Sequence, residues 1–152
     1  MNLLNKDLII MNADVSSAEE CIRLAAGLFY KYGYVKEGYG EAVVEREKNY
    51  PTGLPGKGVN IAIPHTNNKL VNKPGIAVII PKRPVKFTMM GTDDNILDCE
   101  VIIPLVVFDS HMQINMLKKM AKIIQDEKLL KMILDAKNEE EIIKCLISLE
   151  EN

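Results

Sequence analysis

The chain has 152 residues, 47% of them hydrophobic and 26% charged, with a formal net charge of −2. That length suits one domain, residues 1–152, built on a single sizeable core. With no Lys/Arg block and no tryptophan it offers no electrostatic footprint for nucleic acid, and no apolar run approaches the ~20 residues of a membrane span. Met1 to Ile10 carries Lys6 and Asp7 and no cleavage-site pattern, so it does not read as a signal peptide. The three cysteines, Cys21, Cys99 and Cys145, are scattered and form no Cys-x-x-Cys pair. They fit buried thiols in a reducing, cytoplasmic compartment.

A first strand is expected at Leu8–Met11. Ser17 with Glu20 three residues on is a capping-box pattern, and Cys21, Leu24, Ala25, Leu28 and Phe29 then recur at helical spacing up to a stop at Gly33. A second helix is predicted over Glu41–Lys48. The loop from Tyr50 to Gly58 holds two prolines and three glycines. Three strands follow, at Val59–Ile63, Gly75–Ile80 and Val85–Phe87. Asp98–Phe108 is the most apolar stretch and reads as a fifth strand, with Pro104 marking an edge or a bulge. The last third is helical. Ile114, Leu117, Met120, Ala121 and Ile124 are expected on one face, followed by a helix near Lys128–Ala136 and another capped by Asn138. Interleaved helices and strands predict an α/β fold with helices on both faces of a buried sheet.

Both histidines of the chain follow apolar strands. His65 stands directly behind Pro64, which cannot donate to a ladder and ends the strand. That leaves an imidazole at a sheet rim, suited to accepting and passing on a group. His111 lies in Phe108-Asp109-Ser110-His111-Met112-Gln113, where Ser110 and Gln113 read as a capping box that puts His111 at the first helical position. Free amides at a helix start favour an anion, phosphate above all. The two histidines have no obvious third ligand, so neither a metal nor another cofactor is expected.

Arg46-Glu47-Lys48, Pro51-Thr52-Gly53-Leu54 and Ile61-Ala62-Ile63-Pro64-His65-Thr66 together resemble the IIA component of the sugar phosphotransferase system, fructose–mannitol superfamily. The Tyr-Pro-Thr-Gly-Leu-Pro wording is most similar to the galactitol-type branch. The resemblance continues through Phe87, Met90-Gly91, Leu105–Phe108 and His111. It implies a mixed, roughly five-stranded sheet flanked by helices. It also implies a relay: His65 takes a phosphoryl group from phospho-HPr on its tele nitrogen and hands it to a cysteine of the IIB component. IIB then serves the membrane component IIC during sugar uptake. Arg46 and His111 would flank the site.

The chemistry suits these residue types. A nucleophilic imidazole must be neutral on the attacking nitrogen, with its other nitrogen fixed by a hydrogen bond. Arg46 offers planar donors for phosphate oxygens, and it is expected to be solvent-exposed at its helix end. Thr52, Thr66 and Ser110 are hydroxyls close enough in sequence to bind the migrating group. The resemblance leaves a second reading, a regulatory phospho-switch of the nitrogen-related type that acts by binding other proteins. Thr66-Asn67-Asn68 departs from the residues many relatives carry after the histidine, as does the asparagine in Thr92-Asp93-Asp94-Asn95.

Overall fold

The computed structural model describes residues 2–151. Strand β1 (Leu4–Ala13) leads to helix α1 (Ala18–Lys31), and α2 (Tyr39–Asn49) follows. Strands β2 (Gly53–Leu54), β3 (Asn60–Ala62), β4 (Gly75–Pro81), β5 (Val85–Thr88), β6 (Ile96–Ile102) and β7 (Leu105–Val106) come next. The chain ends in α3 (Ser110–Ile123), α4 (Glu127–Asp135), α5 (Glu139–Cys145) and a 3-10 turn at Ile147–Glu150.

Period-two alternation sorts the strand side chains into two cores. Ile61, Ile63, Ile76, Val78, Val101 and Ile103 join one cluster with Met116, Met120, Leu130 and Ile142 from α3, α4 and α5. Ala62, Ala77, Ile79, Cys99 and Ile102 face the other way, onto Cys21, Ala25 and Phe29 of α1 and Val43 and Val44 of α2. The sheet is therefore covered on both faces, as an α/β layering requires.

The spine of the sheet runs β1-β4-β6-β3-β2, with β5 pairing β6 and β7 pairing β4. It is mixed: β1 with β4 and β3 with β6 are parallel, and the other pairs antiparallel. The sheet has seven strands rather than roughly five. Two causes account for the difference. Gly53–Leu54 pairs with Ile61–Ala62 and turns part of the expected loop into β2. The expected Asp98–Phe108 strand is divided at Ile103-Pro104 into β6 and β7.

Pro104 lies inside the sheet, not at an edge. Ile79 faces Ile102 and Ile76 faces Leu105, which is one unbroken register along β4. The Pro104 carbonyl still accepts from Ala77 N–H at 2.9 Å, while its ring nitrogen has no proton to return. On the other side Ile103 N–H donates to Ala62 and Leu105 N–H to Pro64. One lost ladder bond is thus offset by neighbours that hold the strand from both sides.

Helix termini follow local chemistry. Ser17 Oγ accepts from Glu20 N–H at 3.1 Å, and Glu20 reaches back to Ser16. Gly33, at φ +81°, closes α1 with Gly33 N–H on Tyr30 and Tyr34 N–H on Phe29. Asn138 Oδ1 caps α5 through Glu141 N–H. In α3 the cap is Asp109, whose Oδ1 accepts from Met112 N–H at 2.8 Å, so Ser110 is the first helical residue and His111 the second. The buried stripe of α3 is Met116, Met120 and Ile123. Ile114 and Ala121, expected on that stripe, face solvent because the helix packs one residue step around from the predicted face.

Candidate active site

His65 follows β3 directly and is 3% exposed. Pro64 breaks the strand, and the chain turns back so that His65 Nδ1 meets the carbonyl of Ile63 at 2.7 Å. A carbonyl only accepts, so Nδ1 carries the proton and Nε2 keeps its lone pair. Burial lowers the imidazole pKa from 6.5; the Ile63 bond opposes this and the charge of Arg46 adds to it. The ring is therefore neutral at physiological pH, with Nε2 as the nucleophilic atom. Nε2 is buried and has no hydrogen-bond partner.

The turn is held from two sides. Ile63 N–H donates to the Thr52 carbonyl, and Leu105 N–H donates to the Pro64 carbonyl. Beyond the turn, Asn68 Nδ2 donates to Phe108 O at 2.6 Å, tying it to the loop that enters α3. The ends of β3 and β7 thus meet at one sheet rim, the usual place for a site in such folds.

His65 opens onto a cleft of about 350 Å³. Arg46, Asn49 and Tyr50 of the α2 exit, Pro51 and Thr52 of the following loop, Met90–Asp93, and Gln113 and Leu117 of α3 form its other walls. Arg46 is half-buried, not exposed as expected, because its guanidinium lies over the Tyr50 ring, 5.1 Å from the centroid. Its Nε is buried without a partner. Among the described residues, Arg46 Nε and His65 Nε2 are the buried side-chain polar atoms left unpaired, and both residues line this cleft. Leaving a buried polar atom unpaired costs about 1–3 kcal/mol. The Arg46 Nε–H is a free donor for the oxygens of an anion, and the Nε2 lone pair is free for an electrophile such as phosphorus.

Gly53 is required by the wall opposite. A Cβ there would come within 2.7 Å of Thr88 O, and the Gly53 carbonyl accepts from Met90 N–H at 2.8 Å. That close approach brings Met90, half-buried, to the cleft. Met89 is also half-buried, with Asn95 Nδ2 donating to its sulfur at 3.3 Å.

Of the remaining sequence candidates, Thr52 lines the cleft and Thr66, Ser110 and His111 do not. The Thr52 hydroxyl donates to Glu47 Oε1 at 2.8 Å and is committed there. Thr66 is buried in the turn behind His65. Ser110 and His111 are exposed at the start of α3, which faces the cleft through Gln113 and Leu117 instead. Glu47, Tyr50 and Gln113 are the contributors that sequence reasoning passed over. Glu47 had a signal: it is an acid in the last turn of a helix, where the dipole disfavours one.

Residues 2–148 match the family model described as the phosphoenolpyruvate-dependent sugar phosphotransferase system, EIIA 2. The chain belongs to this family. It is 29% identical over 146 residues to the mannitol-specific phosphotransferase enzyme IIA component of Bacillus subtilis, covering 94% of this chain and 95% of that one. The crystal structure of IIA mannitol from Escherichia coli superposes with a TM-score of 0.77 at 25% identity, covering 94% of this chain and 98% of that one. The IIA of the Escherichia coli complex with phosphorylated enzyme IIB shares the fold, with a TM-score of 0.76 at 24% identity over 95% and 97% of the two chains. These three relatives are named for mannitol, whereas the loop wording pointed to galactitol. This EIIA is therefore a phosphocarrier of the sugar phosphotransferase system. Among the described residues, no helix is long and apolar enough to cross a membrane.

Proposed function

We propose that this EIIA carries its phosphoryl group on His65 Nε2, taking it from phospho-HPr and passing it to a cysteine of a IIB component in a mannitol-type uptake system. The observation that carries the reading is the pair of buried, unpartnered nitrogens, His65 Nε2 and Arg46 Nε, on one cleft. In the first half-reaction the Nε2 lone pair forms an N–P bond as the bond between phosphorus and the HPr histidine breaks. No proton need leave His65, because its proton sits on Nδ1 against Ile63 O. In the second half, a IIB thiolate attacks phosphorus and the electrons of the N–P bond return to Nε2. Catalysis of this kind rests on positioning and charge stabilisation. Arg46 supplies the charge, and the buried turn supplies the positioning.

Apolar side chains near the cleft suit docking of the two protein partners in turn. Tyr50 is 64% exposed, Phe108 51% and Ile114 55%. Aromatic anchors of this kind are over-represented at interfaces, and transient ones are small. His111 stands outside the cleft lining and acts, on this reading, only on a docked partner's phosphoryl group. The protein works in the cytoplasm, and IIC is reached only through IIB.

Incubation with phosphoenolpyruvate, enzyme I and HPr is expected to add one phosphoryl group that is labile in acid and stable in base. His65→Ala removes it. Full labelling of that variant sinks the assignment.

A further inference from the structure

Glu47 is a carboxylate that the relay leaves without a task although it is held tightly beside the site. Its two oxygens accept separately from Thr52: Oε2 from the backbone N–H at 2.9 Å and Oε1 from the hydroxyl at 2.8 Å. Thr52 is 2% exposed, and its carbonyl accepts from Ile63 N–H at 3.2 Å. The Ile63 carbonyl in turn accepts from His65 Nδ1 at 2.7 Å. One hydrogen-bonded chain therefore runs from an acid on α2 to the imidazole.

Resting on the reading of His65 as phosphoacceptor, we propose that Glu47 is a positioning residue that holds this imidazole in one tautomer through Thr52 and Ile63. The local structure needs such an anchor. Strand β2 is two residues long and makes only two register pairs with β3, Gly53 with Ala62 and Leu54 with Ile61. A strand that short has little pairing of its own to fix where the Thr52 carbonyl lies. The bidentate grip of Glu47 pins the start of β2 to a regular helix, and the Thr52 carbonyl then pins Ile63. Should Ile63 O drift, His65 Nδ1 loses its acceptor and the proton redistributes between the ring nitrogens, which removes the lone pair from Nε2.

The carboxylate is kept there against two penalties. It lies in the last turn of α2, at the negative end of the helix dipole. Burial also pushes its pKa up to about 7, against the Thr52 bonds and Arg46, which pull it down. Among the described residues no ion pair joins Glu47 to Arg46, so a salt bridge does not explain its place.

The test is Glu47→Gln in the full chain, where the amide nitrogen cannot accept one of the two Thr52 protons. Heteronuclear NMR of the imidazole nitrogens reads the His65 tautomer, and steady-state transfer from phospho-HPr gives kcat and KM separately. The expected result is a mixed tautomer with kcat lowered about tenfold and KM for the donor unchanged. Thr52→Val, which keeps the backbone bond and loses the hydroxyl, should give a smaller change in the same direction; it decides the matter if Glu47→Gln does not fold. A lower Tm with wild-type ring signals and wild-type kcat makes Glu47 a structural residue only and overturns the proposal. If the wild type is never phosphorylated but its single tautomer still responds to Glu47→Gln, the positioning holds and the phosphocarrier reading fails.

Discussion

His65 and His111 occupy the same place in the sequence pattern and opposite places in the molecule. Each follows an apolar strand, yet one is 3% exposed with Nδ1 on a carbonyl, and the other stands exposed on the first turn of α3. The difference lies in what the backbone does next. After β3, Pro64 stops the ladder and the turn is clamped by Thr52 and Leu105, so the imidazole folds inward. After β7, Asp109 starts a helix at once, and a residue at its second position points where the helix puts it. A strand end is thus only an address. A clamped turn makes it a site.

Five substitutions or titrations would break or sharpen that contrast, and the largest effect belongs to His65→Ala, which should abolish phosphorylation while His111→Ala leaves it in place. Equal loss in both variants would erase the distinction. Next, Arg46→Ala should lower the rate of phosphoryl acceptance about 100-fold with the fold intact, read by single-turnover labelling and circular dichroism. A variant that fails to fold would make Arg46 a structural residue.

The pH dependence comes third. The folded pKa of His65 is depressed below 6.5, so below that value the unfolded state binds more protons than the native one. Its stabilising contribution is present above pH 6.5 and is lost as the pH falls through the folded value. Denaturation of wild type and His65→Ala across this range should show their stability difference changing below pH 6.5 and flat above it. A difference that changed only above 6.5 would contradict a buried, neutral ring.

Fourth, Asp109→Ala removes the cap of α3 and should cost about 1 kcal/mol in chemical denaturation, whereas Ser110→Ala should cost almost nothing. The reverse order would restore Ser110 as the cap. Smallest is the kinetic effect of His111→Ala, expected within a few-fold and confined to one half-reaction. A loss of a hundredfold or more would place His111 at the reacting phosphorus.

Local chemistry carried much of the reading. The Ser17–Glu20 pattern, the glycine stop at Gly33 and the Asn138 cap are formed as expected because each involves residues within a few positions of one another. The Ser110–Gln113 pattern failed for the same reason: Asp109 is an equally good cap one step earlier, and sequence spacing cannot rank the two. Pro104 misled in another way. Proline in a central strand is disfavoured, but Ala62 and Pro64 hold its neighbours and Ala77 holds its own carbonyl, through bonds that only the assembled sheet provides.

What the amino-acid order determined by itself was the set of short-range choices: the two-periodic strands, the capped helices, and a histidine exposed to a break by Pro64. It also carried the family, since the Ala-Ile-Pro-His element and its upstream Arg46 and Thr52 are contiguous words. Tertiary structure alone decided which of those residues meet. Arg46 lies nineteen positions before His65 (65 minus 46) and reaches the same cleft because β2 pairs with β3 and Thr52 bonds Ile63, which brings the α2 exit beside the turn. Thr52 turned from a phosphate ligand into a link between Glu47 and Ile63 because its hydroxyl was already satisfied. The physical reason is common to both. Burial and hydrogen-bond satisfaction depend on what the rest of the chain packs against a residue, and no local pattern specifies that.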